Sequence, residues 1–247
     1  MKVVKVIGKL RKKKKETFSL FACFSAWQKV SLFSDMINMG NMIVESKFDK
    51  FRCAYSEEGE EAKVTKFDDR ECKGELTIPQ YVTAWGKSLK ITSIGRGAFF
   101  CYHALIAVHI PEGVTSIGDH AFSGCRNLTA VTIPQGVTNI GMMAFNGCKS
   151  VVRITIPQSV KNIGKYAFET ENPFRTLIGG ISTDFGGSCI RSSLADVYCY
   201  AEEVPSAVDA FGFIDLSCVT LHVPESAIEA YKNTEPWCRF GTIVAIK

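Results

Sequence analysis

The chain has 247 residues, 46% of them hydrophobic and 22% charged, which allows one large domain or two small ones and excludes wholesale disorder. Its net charge of +4 comes from one end: positions 1–15 hold eight basic side chains and no acidic one, and the other 21 of the 29 lysines and arginines face 25 acidic residues. A body with a balance of about −4 lacks the basic face that nucleic-acid binding requires, so no nucleic-acid partner is expected.

In chain order, residues 1–50 read as a basic N-terminal tail with a short apolar segment. The run Arg11–Lys15 is followed by Thr17 to Gln28 (TFSLFACFSAWQ), a stretch of 12 residues where a membrane-spanning helix needs about 20, so no transmembrane anchor is expected. A basic segment before such a stretch has the outline of a secretory signal, but no small-x-small cleavage site follows Trp27. Leu20-Phe21-Ala22-Cys23 is only faintly like a lipoprotein acylation box. The alternative is a mobile basic tail leading into a short helix.

Residues 51–247 read as one solenoid. Phe51 to Gly74 alternates weakly and is expected to form strands capping the N-terminal end of a core, with 51–91 as the N-terminal cap. Leu76-Thr77-Ile78-Pro79 is a strand ended by proline, and Pro79 to Pro111 spans 32 residues. The excess over the period described next falls in Tyr81 to Ile91, where Trp85-Gly86-Lys87-Ser88 predicts the turn of an inserted hairpin.

From about residue 92 to 176 the sequence repeats. The segments 108–130, 131–153 and 154–176 align without a gap at a period of 23, with Pro111, Pro134 and Pro157 in phase. Ile94-Gly95, Ile117-Gly118, Ile140-Gly141 and Ile163-Gly164 recur at the same step, as do Ala98-Phe99, Ala121-Phe122, Ala144-Phe145 and Ala167-Phe168. In one coil Val131 and Ile133 alternate along a short strand, Pro134 ends it, and Val137 and Ile140 turn inward on a second extended piece. Gly141 is expected to permit a tight turn, and Ala144, Phe145 and Cys148 close the coil. Eight of 23 positions point inside, too many for one coil to bury alone, so the coils must stack on a shared core with parallel ladders between them.

Past Phe168 the phase is lost over Glu169–Ser193, which is rich in glycine and serine. It returns at Leu194-x-x-Val197-x-Cys199 and Cys218-x-x-Leu221-x-Val223, preceded by Ala210-Phe211, so 177–247 reads as irregular coils and a C-terminal cap. The cap is a short helix from Glu225 to Lys232, with Trp237, Phe240 and Ile243 available to cover the last coil.

No chemistry of catalysis is visible. The ten cysteines include no pair within four positions, which removes the usual zinc and redox spacings, so neither metal nor cofactor is expected. Cys125 and Cys148 fall in register on adjacent coils about 4.8 Å apart, but parallel stacking does not readily give a disulfide dihedral, and buried thiols are the expectation. Cys101 breaks this register by one position, with Tyr102 in the slot. A thiol enzyme would need a histidine base, yet His109 shares its slot with Thr132 and Thr155, and His120 with Met143 and Tyr166.

A binding surface is expected where the strand positions vary while the frame repeats: Ile106, Ala107 and His109, then Thr129, Ala130 and Thr132, then Val152, Arg153 and Thr155. Alternation puts His109, Thr132 and Thr155 on one outward row. The bland alternative is an ordinary solvated sheet face, and the row is poor in the aromatic and arginine anchors that dominate binding energy.

The unit I-P-x-x-V-x-x-I-G-x-x-A-F-x-x-C-x-x-L-x-x-V resembles the BspA-type leucine-rich repeat, a 23-residue subclass. Residues 221–246 (LHVPESAIEAYKNTEPWCRFGTIVAI) resemble the closing segment of bacterial members, and VTAWGKSLKITSIG their first coil, so the likeness covers roughly 51–247. It implies a β-rich solenoid, a right-handed leucine-rich-repeat coil stack with short parallel strands. It also implies a non-enzymatic protein, surface-exposed or secreted, that adheres to host or partner proteins. The expected ligand is a protein or glycan. The alternative is a structural spacer or intracellular scaffold with no discrete ligand, located in the cytoplasm, and the oligomeric state stays open.

Overall fold

The computed structural model describes residues 43–48, 50–56, 59–69, 72–84, 86–170, 192–212 and 214–246. The basic run, the apolar stretch Thr17 to Gln28, Trp85 of the hairpin turn and the centre of the Glu169–Ser193 gap lie outside them. The described residues form stacked coils with a strand on each of two sides.

On one side the antiparallel strands β1 (Ile43–Phe48), β2 (Phe51–Ser56) and β3 (Glu61–Phe67) lead into a parallel series. The β4 strand (Gly74–Thr77) leaves this sheet, and β5 (Tyr81–Ala84) returns to pair antiparallel with β6 (Lys87–Ile94) as the expected hairpin. Strand β6 lies parallel to β3 and to the short β8 (Ser116–Ile117), which is followed by β10 (Asn139–Ile140) and β12 (Asn162–Ile163). Among the described residues the sheet thus begins at Ile43, inside the stretch that the sequence assigns to the tail.

On the other side β7 (Leu105–His109) pairs with β4, and β9 (Ala130–Thr132), β11 (Arg153–Ile156), β13 (Asp196–Cys199), β14 (Thr220–Val223) and β15 (Thr242–Ala245) run parallel. The Thr129 N–H donates to Ile106 O at 3.1 Å, which carries the series from β7 to β9. A third ladder joins the coils at the Ala-Phe turns: the N–H groups of Phe99, Phe122, Phe145 and Phe168 donate to Ala121, Ala144, Ala167 and Ala210 at 2.7–2.9 Å.

The repeat pattern explains the core. In the coil 131–153 the side chains of Val131, Ile133, Val137, Ile140, Ala144, Phe145, Cys148 and Val151 are all buried, and so is Pro134. The rings of Phe99, Phe122, Phe145, Phe168 and Phe211 stack in one column at centroid spacings of 4.9, 5.2, 5.7 and 5.8 Å. Phe51 and Phe67 pack on its N-terminal end. At the other end Trp237 and Phe240 meet Phe211 edge-on. The C-terminal cap forms at Glu225–Lys232 as expected, a 3-10 turn (Glu225–Ala227) running into α1 (Ile228–Lys232). Its buried Tyr231 hydroxyl donates to Ala201 O at 2.9 Å, and Trp237 Nε1 donates to Pro205 O at 3.0 Å.

Phe168 and Phe211 stand 43 positions apart yet stack as neighbours, so 20 extra residues sit inside one coil. Across the addition, the Thr170 and Ser192 hydroxyls are 2.8 Å apart. The register then pairs Ile154 with Val197 and Ile156 with Cys199, as the degenerate motif predicts.

Two expectations need correction. Gly141 does not serve a turn through its backbone freedom. A Cβ placed there would lie 2.5 Å from Asp119 N, and one on Gly164 would lie 2.5 Å from Met142 N. Neither glycine has a positive φ; the left-handed residue comes two positions later, at Gly97, His120, Met143, Tyr166 and Asp209, with φ of 52–61°. The glycine column exists because adjacent coils approach too closely for a side chain. Cys218 is not the buried counterpart of Leu128 either. It is exposed, and Leu216 and Val219 are buried instead, because the chain winds through a 3-10 turn at Leu216–Cys218 whose buried residue is Leu216.

Cys125 and Cys148 are buried, and each S–H donates to a carbonyl of the coil before it, Phe99 O at 3.3 Å and Phe122 O at 3.4 Å. Tyr102 takes the equivalent slot in the first coil and donates its hydroxyl to Phe67 O. Burial pushes the Cys125 thiol up to about 12 and raises Cys148 well above its ordinary value.

Two outcomes follow for the stability of the whole chain, read by urea unfolding. Phe145→Ala should cost about 3–5 kcal/mol through the lost ring and its cavity, and Gly141→Ala about 1–3 kcal/mol through forced separation of coils. The folded chain also keeps the Cys125 proton after the unfolded chain has released it. Stability should therefore fall as pH rises from 9 toward 12, by up to about 1.4 kcal/mol per pH unit for this thiol, and Cys125→Ala should flatten the slope.

Candidate interaction face

The strand series β7–β9–β11–β13–β14–β15 turns one row of side chains to the core and the alternate rows outward. All nine expected face residues lie at the surface. Ile106, His109, Thr129, Ala130, Thr132, Val152 and Arg153 are exposed, and Ala107 and Thr155 are half-buried. Register brings Thr132 beside Thr155 and Ala130 beside Arg153. His109 heads the row from β7, its Nε2 3.5 Å from a Glu75 carboxylate oxygen.

Pairing carries both rows further than the sequence reading took them. Thr155 is followed by Tyr198, His222 and Val244, and Arg153 by Asp196, Thr220 and Thr242. The Tyr198 and His222 rings stack at 4.1 Å with planes 4° apart. His222 Nε2 lies 3.0 Å from Asp196 Oδ1, and the Arg153 guanidinium covers the other face of Tyr198 at 5.4 Å while standing 4.0 Å from Asp196. An arginine, a tyrosine, a histidine and an aspartate thus hold one another on adjacent strands. Arginine and tyrosine are enriched at the energetic centres of interfaces.

Sequence reasoning missed Asp196, Tyr198 and His222 because the strict period ends before them. The signal was present in Leu194-x-x-Val197-x-Cys199, which places Tyr198 in the slot of Thr155.

Where these strands end, a groove of about 220 Å³ runs between Thr132, Thr155, Pro134, Pro157, Tyr200 and Glu112. Ile133, the two proline rings and Tyr200 give it apolar lining, and its polar lining residues are Thr132, Thr155, Tyr200, Gln135 and Glu112.

Cys125 and Cys148 are held as thiols inside the core, out of reach of a substrate. His103 Nδ1 is taken up by Gly124 O at 2.8 Å and His222 by Asp196. Among the described residues no three histidines, cysteines or carboxylates converge as metal ligands, and no helix is long and apolar enough to cross a membrane.

A family model for the BspA type leucine rich repeat region matches residues 90–193 in 6 copies. The chain is similar in structure to a leucine rich repeat protein of T. pallidum, 20% identical over 81% of each chain with a TM-score of 0.56, a likeness of fold. It is also similar to a leucine-rich repeat protein from Bacteroides capillosus, 29% identical over 53% of this chain and 90% of that one, TM-score 0.44. A leucine rich cell surface protein from Faecalibacterium prausnitzii is 18% identical over 81% of this chain and 50% of that one, TM-score 0.47. No curated protein sequence matches. Repeats of this kind are protein-interaction modules, in general non-enzymatic. Residues 90–193 match the BspA type leucine rich repeat region, and the coils that the structure stacks there are those repeats.

Proposed function

We propose that the protein is a non-enzymatic interaction module that binds a protein or glycan through the outer face of its strand series, as an adhesin at the cell surface or outside the cell. The observation that carries this reading is the cluster of Arg153, Asp196, Tyr198 and His222 beside the Thr132–Thr155 row. These side chains stand on hydrogen-bonded strands whose inward residues are locked in the core, so little ordering is needed on binding. The resemblance to surface and secreted repeat proteins supports the location.

A second reading, a structural spacer or intracellular scaffold without a discrete ligand, draws on the same cluster. Arg153, Asp196 and His222 already satisfy one another, which is how a solvated face settles when nothing docks on it.

The two readings separate in a binding experiment on the full chain. Immobilised protein should capture one saturable partner that free protein competes away, and Thr132→Lys with Thr155→Lys should abolish capture while the circular dichroism spectrum stays unchanged. Capture that survives this pair, or never saturates, favours the spacer. Fractionation of the native host should find the protein outside the cytoplasmic membrane; recovery in the soluble cytoplasm overturns the adhesin reading.

A further inference from the structure

We infer that the groove at the end of β9 and β11 takes a cationic side chain, lysine or arginine, presented by a protein partner. The inference rests on the outer face being a binding surface and names the chemistry of what enters it. A volume of about 220 Å³ is below the range of roughly 300–1,000 Å³ typical of drug-sized ligand pockets and suits one extended side chain. Pro134 and Pro157 come from successive coils and Tyr200 from the next, so the walls are apolar and rigid, as a methylene stem requires.

Charge decides the head group. Glu112 lines the groove, is exposed, and forms no ion pair among the described residues. The other carboxylates of this face are engaged, Glu75 with His109 at 3.5 Å and Asp196 with His222 at 3.0 Å. Lys90 packs over Gly113, the next residue in the chain, without coming within ion-pair distance of the Glu112 carboxylate. A guest ammonium or guanidinium would meet that carboxylate and the hydroxyls of Thr132, Thr155 and Tyr200, which supply acceptors for its N–H groups. An anionic guest would meet Glu112 head-on. A neutral sugar would leave its charge uncompensated.

The test is an NMR titration of the full-length, isotope-labelled protein with Nα-acetyl-lysine methylamide, against its norleucine analogue and methyl glucoside. The lysine probe should give saturable shifts confined to the amides of Thr132, Thr155, Tyr200 and their neighbours. Its affinity should fall by roughly tenfold or more for norleucine and in Glu112→Gln, because a charge-assisted hydrogen bond is lost. Equal binding of norleucine would make the groove a plain apolar crevice, and saturation by methyl glucoside would make it a sugar site. Lysine shifts scattered over the surface carboxylates and unchanged in Glu112→Gln would make the effect non-specific; each of these three results overturns the proposal. The captured partner separates this failure from that of the broader reading. If Thr132→Lys with Thr155→Lys abolishes capture while Glu112→Gln leaves it intact, the face binds its partner without the cationic contact.

Discussion

Contact between successive coils sets the terms for everything else in this molecule. Three hydrogen-bonded ladders, one in each strand series and one at the Ala-Phe turns, hold neighbouring backbones at sheet spacing. At that spacing five phenylalanine rings stack face to face, each pair adding on the order of 0.5–1.5 kcal/mol beyond the area it buries. The same closeness forbids a side chain at Gly118, Gly141 and Gly164 and lets the Cys125 and Cys148 thiols reach a carbonyl one coil away. Each coil touches only its neighbours, so the two aromatic ends, Phe51 with Phe67 and Trp237 with Phe240, are needed to keep the terminal rings from water.

Much of this is legible in the residues. The phased prolines, Ile-Gly pairs and Ala-Phe pairs locate strand, turn and core residue in every regular coil, because a repeating environment admits few residue types. The hairpin at Tyr81–Ile94 and the aromatic cap were readable from the excess length and from Trp237 and Phe240. What escaped depended on the third dimension. The glycine column reads as a turn signal until the neighbouring backbone is seen beside it. Cys218 and Leu128 look equivalent until the 3-10 turn at Leu216–Cys218 is seen to bury Leu216 instead. The cluster around Tyr198 was hidden by 20 residues of insertion, although its inward partners Val197 and Cys199 announced the strand. The outward residues of the β7–β15 strand series fill no shared core slot, so sequence alone marks where they stand and not which of them touch.

The two strand series differ in how they meet solvent. On the β6–β8–β10–β12 side the outward groups satisfy each other along the stack: the Thr115 and Thr138 hydroxyls donate to the carbonyls of Thr92 and Thr115, and Asn162 donates to Asn139. That side is a closed polar ladder. The opposite side carries exposed Ile106 and Val152, the Tyr198–His222 stack and a groove, a mixture of apolar and charged groups on a rigid support. The proposed binding face draws on this asymmetry.

The hydroxyls of Thr170 and Ser192 meet across the point where the repeat gains 20 residues. Because exit and re-entry coincide, the coils on either side join as though nothing had been added, and the cost of lengthening such an excursion grows only with the logarithm of its length. The stack therefore has a port. A lineage can enlarge, shrink or exchange what is carried there, gaining new surface chemistry without renegotiating the packing of a single phenylalanine.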